Sequence, residues 1–231
     1  IDEYEGNLRV VTTDRNGNGL YILDPDLKEI GRINNLAKEE QVYSARLMGD
    51  TGYFVTFRNT DPLFSVDLSD PENPEILGEL KIPGFSEYLH PYGEGLLLGI
   101  GMDADEETGV TGGVKLSMFN ISDPSDVKEE HTLVLENVYS ADVFYDYKAI
   151  LIDPERNMIG FSAYKGAQEK YFVFSYDPDQ GFTCLMEEQI NGDGQRVSRG
   201  LYIENVLYVV KGNIIEAYGM DDYKKIDDII L

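Results

Sequence analysis

Tyr43 to Leu80 reads YSARLMGDTGYFVTFRNTDPLFSVDLSDPENPEILGEL. Four short runs rich in β-branched, aromatic or aliphatic residues are separated by Gly49-Asp50, by Asn59-Thr60-Asp61-Pro62 and by Asp70-Pro71-Glu72-Asn73-Pro74, all of them turn formers. Four strands in about forty residues, echoed along the chain, are the sequence form of one propeller blade. The expected fold is all-β: a β-propeller of four-stranded antiparallel blades, about five in this chain, which either close by themselves or form part of a larger ring.

Outward from that unit the same order recurs. On its N-terminal side, Ile1–Tyr4, Leu8–Thr13, Leu20–Leu23 and Lys28–Ile33 make a first blade whose opening strand is short. On the other side, Ser122-Asp123-Pro124-Ser125-Asp126 in the third unit echoes Ser69-Asp70-Pro71-Glu72-Asn73. In the fourth unit, Tyr139–Tyr145 and Ala149–Ala163 read as its first two strands, the second interrupted by a turn at Asp153–Asn157. Blades are therefore expected over residues 1–36, 42–82, 85–136, 139–190 and 195–231. No Pro-rich linker or low-complexity segment divides them, so they read as one domain.

A finer signal runs through the repeats. Tyr43-Ser44, Phe85-Ser86, Tyr139-Ser140 and Val197-Ser198 each stand just before the first strand of a unit, and the longer intervals between them hold extra loops at Asp103–Gly113 and Lys165–Lys170. The first strand of a blade lines the central channel, so Ser44, Ser86, Ser140 and Ser198 are expected at one mouth of it. Arg46, Glu87, Tyr88, Asp142 and Arg199 follow closely and would form a mixed-charge ligand-binding ring. The plainer alternative is that the serines bond neighbouring backbone and the charges pair with one another.

Composition narrows the partners. The 231 residues carry 43 acidic against 19 basic side chains, a net charge of −24, which repels phosphate backbones and anionic lipid and argues against nucleic-acid binding. No apolar run approaches the roughly 20 residues of a membrane helix, so no transmembrane segment is expected in this chain. The single cysteine, Cys184, allows no internal disulfide. The start at Ile1, within a strand-like run and without an initiator Met, reads as trimmed, with targeting information lying outside it.

Candidate chemistry is sparse. Asp14, Asn16 and Asn18, with Gly19 following, match the opening of an EF-hand calcium loop, but Pro25 stands where its bidentate Glu belongs. Asp103 and Asp105 lie in a loop with four closely spaced carboxylates, a second place where calcium is conceivable and a favoured partner contact. His90 and His131 are the only histidines, and no nucleophile elbow, P-loop or dinucleotide fingerprint is present. No catalytic residue is assigned. A glycan hydrolase would need Glu87 and Asp142 about 5 to 10 Å apart across the axis.

The block Tyr43–Asp103, with VKLSMFNISDPSDV at Val114–Val127 and SRGLYIENVLYVV at Ser198–Val210, resembles secreted bacterial and archaeal proteins with a C-terminal β-propeller domain. The resemblance implies an exported or lipid-anchored, cell-envelope product of a family without an established activity. The family pattern places a Glu and then a His in the fourth unit, where this chain carries Asp142 and Tyr147. Together these readings point to a non-catalytic module that binds a protein or glycan partner at the envelope. The alternatives are the glycan hydrolase and a calcium-stabilised adhesion module.

Overall fold

The computed structural model describes residues 1–14, 17–36, 41–57, 61–105, 107–192 and 197–231. The fold is all-β and consists of five antiparallel sheets, each with its strands in chain order. The first holds β1 (Asp2–Tyr4), β2 (Asn7–Asp14), β3 (Gly17–Leu23) and β4 (Glu29–Leu36). The second holds β5 (Gln41–Met48), β6 (Thr51–Phe57), β7 (Asp61–Asp67) and β8 (Glu75–Ile82), and the third β9 (Phe85–Pro91), β10 (Leu96–Ala104), β11 (Thr111–Asn120) and β12 (Lys128–Val134). The fourth runs through β13 (Val138–Ala141), β14 (Ile150–Asp153), β15 (Met158–Lys165), β16 (Gln168–Asp177) and β17 (Gly181–Gln189). The fifth is β18 (Arg199–Ile203), β19 (Val206–Lys211), β20 (Ile214–Gly219) and β21 (Lys225–Ile230). Among the described residues no helix is long and apolar enough to cross a membrane.

Two compact units are distinguished, Ile1–Gly112 with Ser117–Glu129, and Gly113–Leu116 with Glu130–Leu231. Within each, sheets pack face to face. In the first unit, Leu20, Ile22 and Leu36 of the first sheet meet Phe54, Phe64 and Val66 of the second. Tyr53, Val55 and Leu63 point the other way and meet Phe85, Leu89, Leu97 and Phe119 of the third sheet. Side chains alternate across a strand, so a middle strand covered on both faces needs apolar residues at consecutive positions. That is why Tyr53-Phe54-Val55 and Leu63-Phe64 are unbroken apolar runs. In the second unit, Met158, Tyr171, Val173 and Met186 of the fourth sheet pack on Leu207, Val209 and Tyr218 of the fifth. On the opposite face of β16, Phe172 and Phe174 stack with centroids 5.9 Å apart.

The fourth sheet departs from the expected continuous strands. Its innermost strand is split: β13 and β14 both pair with β15, at Val138↔Lys165 and Ala141↔Ala163 and then at Ile150↔Phe161 to Asp153↔Met158. Two 3₁₀ turns, Asp142–Phe144 and Tyr147–Ala149, lie between them. The Asp142 carbonyl accepts the N–H groups of Tyr145 and Asp146, and the Asp146 carboxylate accepts that of Lys148, so the interruption is closed by its own hydrogen bonds.

Ser44, Ser86 and Ser140 sit within their strands beside irregularities of register, whereas Ser198 lies just ahead of β18. One extra residue is accommodated between Val42 and Ser44 in β5, at Glu87 in β9 and between Val138 and Ala141 in β13, as in β-bulges. Gly101 opposite the β9 bulge is obligatory, since a Cβ there would stand 1.7 Å from the Phe85 carbonyl oxygen. Gly101→Ala is expected to cost about 3 kcal/mol by overpacking, lowering the melting temperature by about 6–12 °C. Gly219→Ala, whose new Cβ would meet nothing closer than 3.7 Å, should change it by no more than about 2 °C. Calorimetry of the pair checks this.

Candidate functional site

In the first unit the inner strands β5 and β9 lie side by side. Ser44 Oγ donates to the Ser86 carbonyl at 2.6 Å, so one serine of the repeat caps the backbone of the next. Arg46, two residues along β5, is half-buried and makes no ion pair among the described residues. Its neighbours are a neutral pair: Tyr88 OH and His90 Nδ1 are 2.8 Å apart, with their rings stacked at 5.8 Å. Burial, and then the Arg46 guanidinium, push the His90 imidazole down to about 4. It is therefore uncharged at neutral pH. Glu87, at the bulge, is half-buried, and desolvation raises its carboxyl above the usual range. Among the described residues neither Arg46 nor Glu87 makes an ion pair, so the alternative of mutually paired charges does not describe these two.

The second unit holds a buried network. Asp142 opens the first 3₁₀ turn with only 7% of its surface exposed. Its Oδ2 accepts from Ser162 Oγ at 2.7 Å and from the Ser198 N–H at 3.1 Å. Ser198 Oγ donates onward to Glu169 Oε1 at 2.5 Å, and Lys211 Nζ donates to Glu169 Oε2. All five side chains are buried. Desolvation raises the Asp142 carboxyl, opposed by the bonds from Ser162 and Ser198. Burial and the nearby Glu169 and Asp142 push the Tyr164 phenol up to about 12.

Arg199 does not join this network. It pairs with Asp146 at 2.9 Å on the surface, because Asp142 has turned inward to Ser162 and Ser198. Ser140 is half-buried on β13, beside these groups in sequence but without a hydrogen bond to them. The turns project aromatic side chains outward: Tyr145 is 82% and Tyr147 67% exposed, and Tyr139 also faces solvent. Lys148 Nζ lies 5.5 Å from the centre of the Tyr147 ring.

The calcium candidates fare differently. The side chain of Asp14 and the whole of Asn16 lie outside the described residues. Asn18 is buried, with Nδ2 donating to the Leu36 carbonyl at 2.8 Å and Oδ1 accepting from Thr13 at 2.7 Å, so its amide braces β3 against β4 instead of facing an ion. Asp105 Oδ1 accepts from the Thr108 hydroxyl at 2.7 Å and the Thr108 N–H at 2.8 Å, which closes the loop and lowers the carboxyl. Asp103 is the penultimate residue of β10, and its carboxylate lies beside Gly112. Among the described residues no group of three or more His, Cys, Asp and Glu is placed to hold a metal.

Sequence reading missed Glu169, Lys211, Ser162 and the exposed tyrosines. Lys211 carries a signal that could have found it. Leu207, Val209 and Lys211 occupy the inward-facing positions of β19, so strict alternation places a lysine where only a partnered charge is tolerated.

Five antiparallel sheets, each with its strands in chain order, define a β-propeller. Residues 1–223 match the family model described as a Beta propeller domain, and the chain belongs to that family. An uncharacterised protein of Archaeoglobus fulgidus is 38% identical over 232 residues, covering 100% of this chain and 34% of its own length. One of Methanocaldococcus jannaschii is 42% identical over 217 residues, covering 90% of this chain and 32% of its own. The chain thus spans about a third of the length of these relatives. Two solved structures share the fold: apo AztD from Citrobacter koseri (TM-score 0.52, 14% identity, 96% of this chain and 59% of that one) and Saccharomyces cerevisiae Sqt1 (TM-score 0.56, 11% identity, 96% and 60%).

The Asp142 carboxyl is harder to ionise in the fold than in the unfolded chain. The stability it contributes is full below the ordinary carboxylate range and declines as pH rises through its raised folded value. Asp142→Asn keeps an acceptor for Ser162 and Ser198 without the charge. It is expected to match or exceed the parent in stability at pH 7, the advantage shrinking toward pH 4. Asp142→Ala leaves both donors unpaired and is expected to cost about 1–3 kcal/mol. Denaturant titrations across this pH range check both; an Asn variant as weak as the Ala variant would contradict the assignment.

Proposed function

We propose that this protein is a non-catalytic binding module, exported to the cell envelope, that engages a protein or glycan partner with the loops and inner-strand ends of its sheets. The observation that carries the reading is the interrupted inner strand of the fourth sheet. Its turns hold Tyr145 and Tyr147 in solvent over a base fixed by Asp142, Ser162 and Ser198. Exposed tyrosines on a rigid support present large amphipathic contact area at little conformational cost, the character of binding hot spots. Arg199 and Asp146 supply a polar rim, and in the first unit Arg46, Glu87 and Tyr88 offer half-buried polar groups of the same kind.

A binding role is favoured over hydrolysis because the Asp142 carboxylate, one of the two acids that reading needs, is buried and already engaged. Export and the envelope rest on the resemblance to secreted propeller proteins. Matching only a third of the archaeal relatives' length is consistent with one module of a larger product.

Replacing Tyr145 and Tyr147 together by Ser alters only exposed side chains, so folding should be unchanged. Affinity for a partner isolated with the parent protein from envelope fractions, or identified on a glycan array, is expected to fall at least tenfold in a titration. Unchanged affinity would remove this surface from the proposal.

A further inference from the structure

Arg46 is a cation without a counterion in a strongly acidic protein. Acidic side chains outnumber basic ones 43 to 19, yet Arg46, half-buried on β5, makes no ion pair among the described residues. It lines an open cleft of about 300 Å³ whose other walls are Ile1, Asp2, Val11, Ala45 and Leu47. The one carboxylate of that cleft is already engaged, because Asp2 accepts Arg9 Nε on Oδ1 at 2.8 Å and Arg9 Nη2 on Oδ2 at 2.6 Å. Glu87 on β9 does not pair with Arg46 either. A guanidinium half removed from water is best satisfied by a carboxylate, which can meet it with two parallel bonds.

A second donor stands beside it. Ser44 Oγ bonds the Ser86 carbonyl, which joins β5 to β9, and two residues further along each strand come Arg46 and Tyr88. Tyr88 Oη and His90 Nδ1 are 2.8 Å apart, and His90 is uncharged at neutral pH, since burial and the Arg46 charge push its imidazole down to about 4. The neutral pair carries two bonding hydrogens, one on the phenol and one on the ring. Their mutual bond uses one of them, whichever group donates. The other meets no acceptor among the described residues. Both rings are partly exposed and nearly parallel, with planes 23° apart, so they give this corner an aromatic surface. A cation, a free neutral donor and an aromatic surface together suit a ligand with a carboxylate, a hydroxyl or ether acceptor and an apolar ring face. We propose that Arg46, Tyr88 and His90 bind a sugar acid, free or at the end of a glycan. Arg46 takes the carboxylate, the Tyr88–His90 pair donates to a sugar oxygen, and the apolar face of the sugar lies on their rings. The inference rests on the binding reading above and gives the first unit's share of it a ligand class.

The test is calorimetric titration of the complete gene product at pH 7 with glucuronate, and with glucose and acetate as probes that lack the carboxylate and the sugar ring. Glucuronate is expected to saturate one site, with glucose and acetate each at least tenfold weaker. Arg46→Gln is expected to weaken glucuronate binding about tenfold or more, through loss of a charge-assisted pair, without lowering the melting temperature. Absence of glucuronate binding, glucose or acetate matching it, or undiminished affinity in Arg46→Gln would each overturn the proposal. An oligosaccharide ending in glucuronate that binds more tightly than the free acid assigns the site to a glycan end, equal affinity assigns it to the free acid, and both results uphold the proposal. The unsubstituted protein gives a second readout: glucuronate is expected to shift the ring resonances of His90 and leave those of His131, which pairs with Tyr176, in place. Unmoved His90 resonances would overturn it. Failure of these titrations while the paired Tyr145→Ser and Tyr147→Ser replacements still abolish partner binding would remove this site and leave the wider binding reading standing.

Discussion

The second unit is organised by the hydrogen bonds that a buried carboxylate receives. Asp142 stands where the inner strand of the fourth sheet stops, and its Oδ2 takes one bond from Ser162 on β15 and one from the Ser198 backbone at the entrance to the fifth sheet. A carboxylate taken out of water is tolerated only when such donors replace its hydration. The Ser198 hydroxyl passes the link to Glu169, and Lys211 completes it from β19. Four strands or strand entrances are thereby tied to one residue at the base of a turn. From that base Tyr145 and Tyr147 project. A rigid polar foundation beneath an exposed aromatic surface is what allows binding without an ordering cost.

The same position in the repeat does simpler work in the first unit. Ser44 caps the Ser86 carbonyl, and the bulge at Glu87 is possible because Gly101 lets the Phe85 carbonyl approach. Arg46 has neutral Tyr88 and His90 beside it in place of an acid, and its charge helps hold the imidazole neutral. The repeated serine is therefore a joint between inner strands in both units. The polar groups that follow it differ from sheet to sheet, and with them what each sheet offers to a partner.

The blades were legible because the middle strands are buried on both faces: Tyr53-Phe54-Val55 and Leu63-Phe64 leave no alternative to a covered strand. Asp142 stood out as an acid beside a recurrent serine. Its partners did not, since Glu169 and Lys211 reach it only through pairing across β15, β16 and β19, which no local pattern encodes. The split strand was hidden for a similar reason. Tyr139 to Tyr145 has strand-forming residues throughout, and what ends β13 at Ala141 is the tertiary pull on the next side chain. Asn18 misled in the opposite direction, because its place in an Asn-Gly loop suggests an open ligand, whereas its amide is consumed by Leu36 on a neighbouring strand.

The tie through Asp142 is most directly tested by hydrogen exchange at the Ser198 amide. If that N–H is donated to a buried carboxylate, it should exchange as slowly as the core amides of β16, although it lies just ahead of strand β18. Exchange at the rate of exposed turn amides would contradict it.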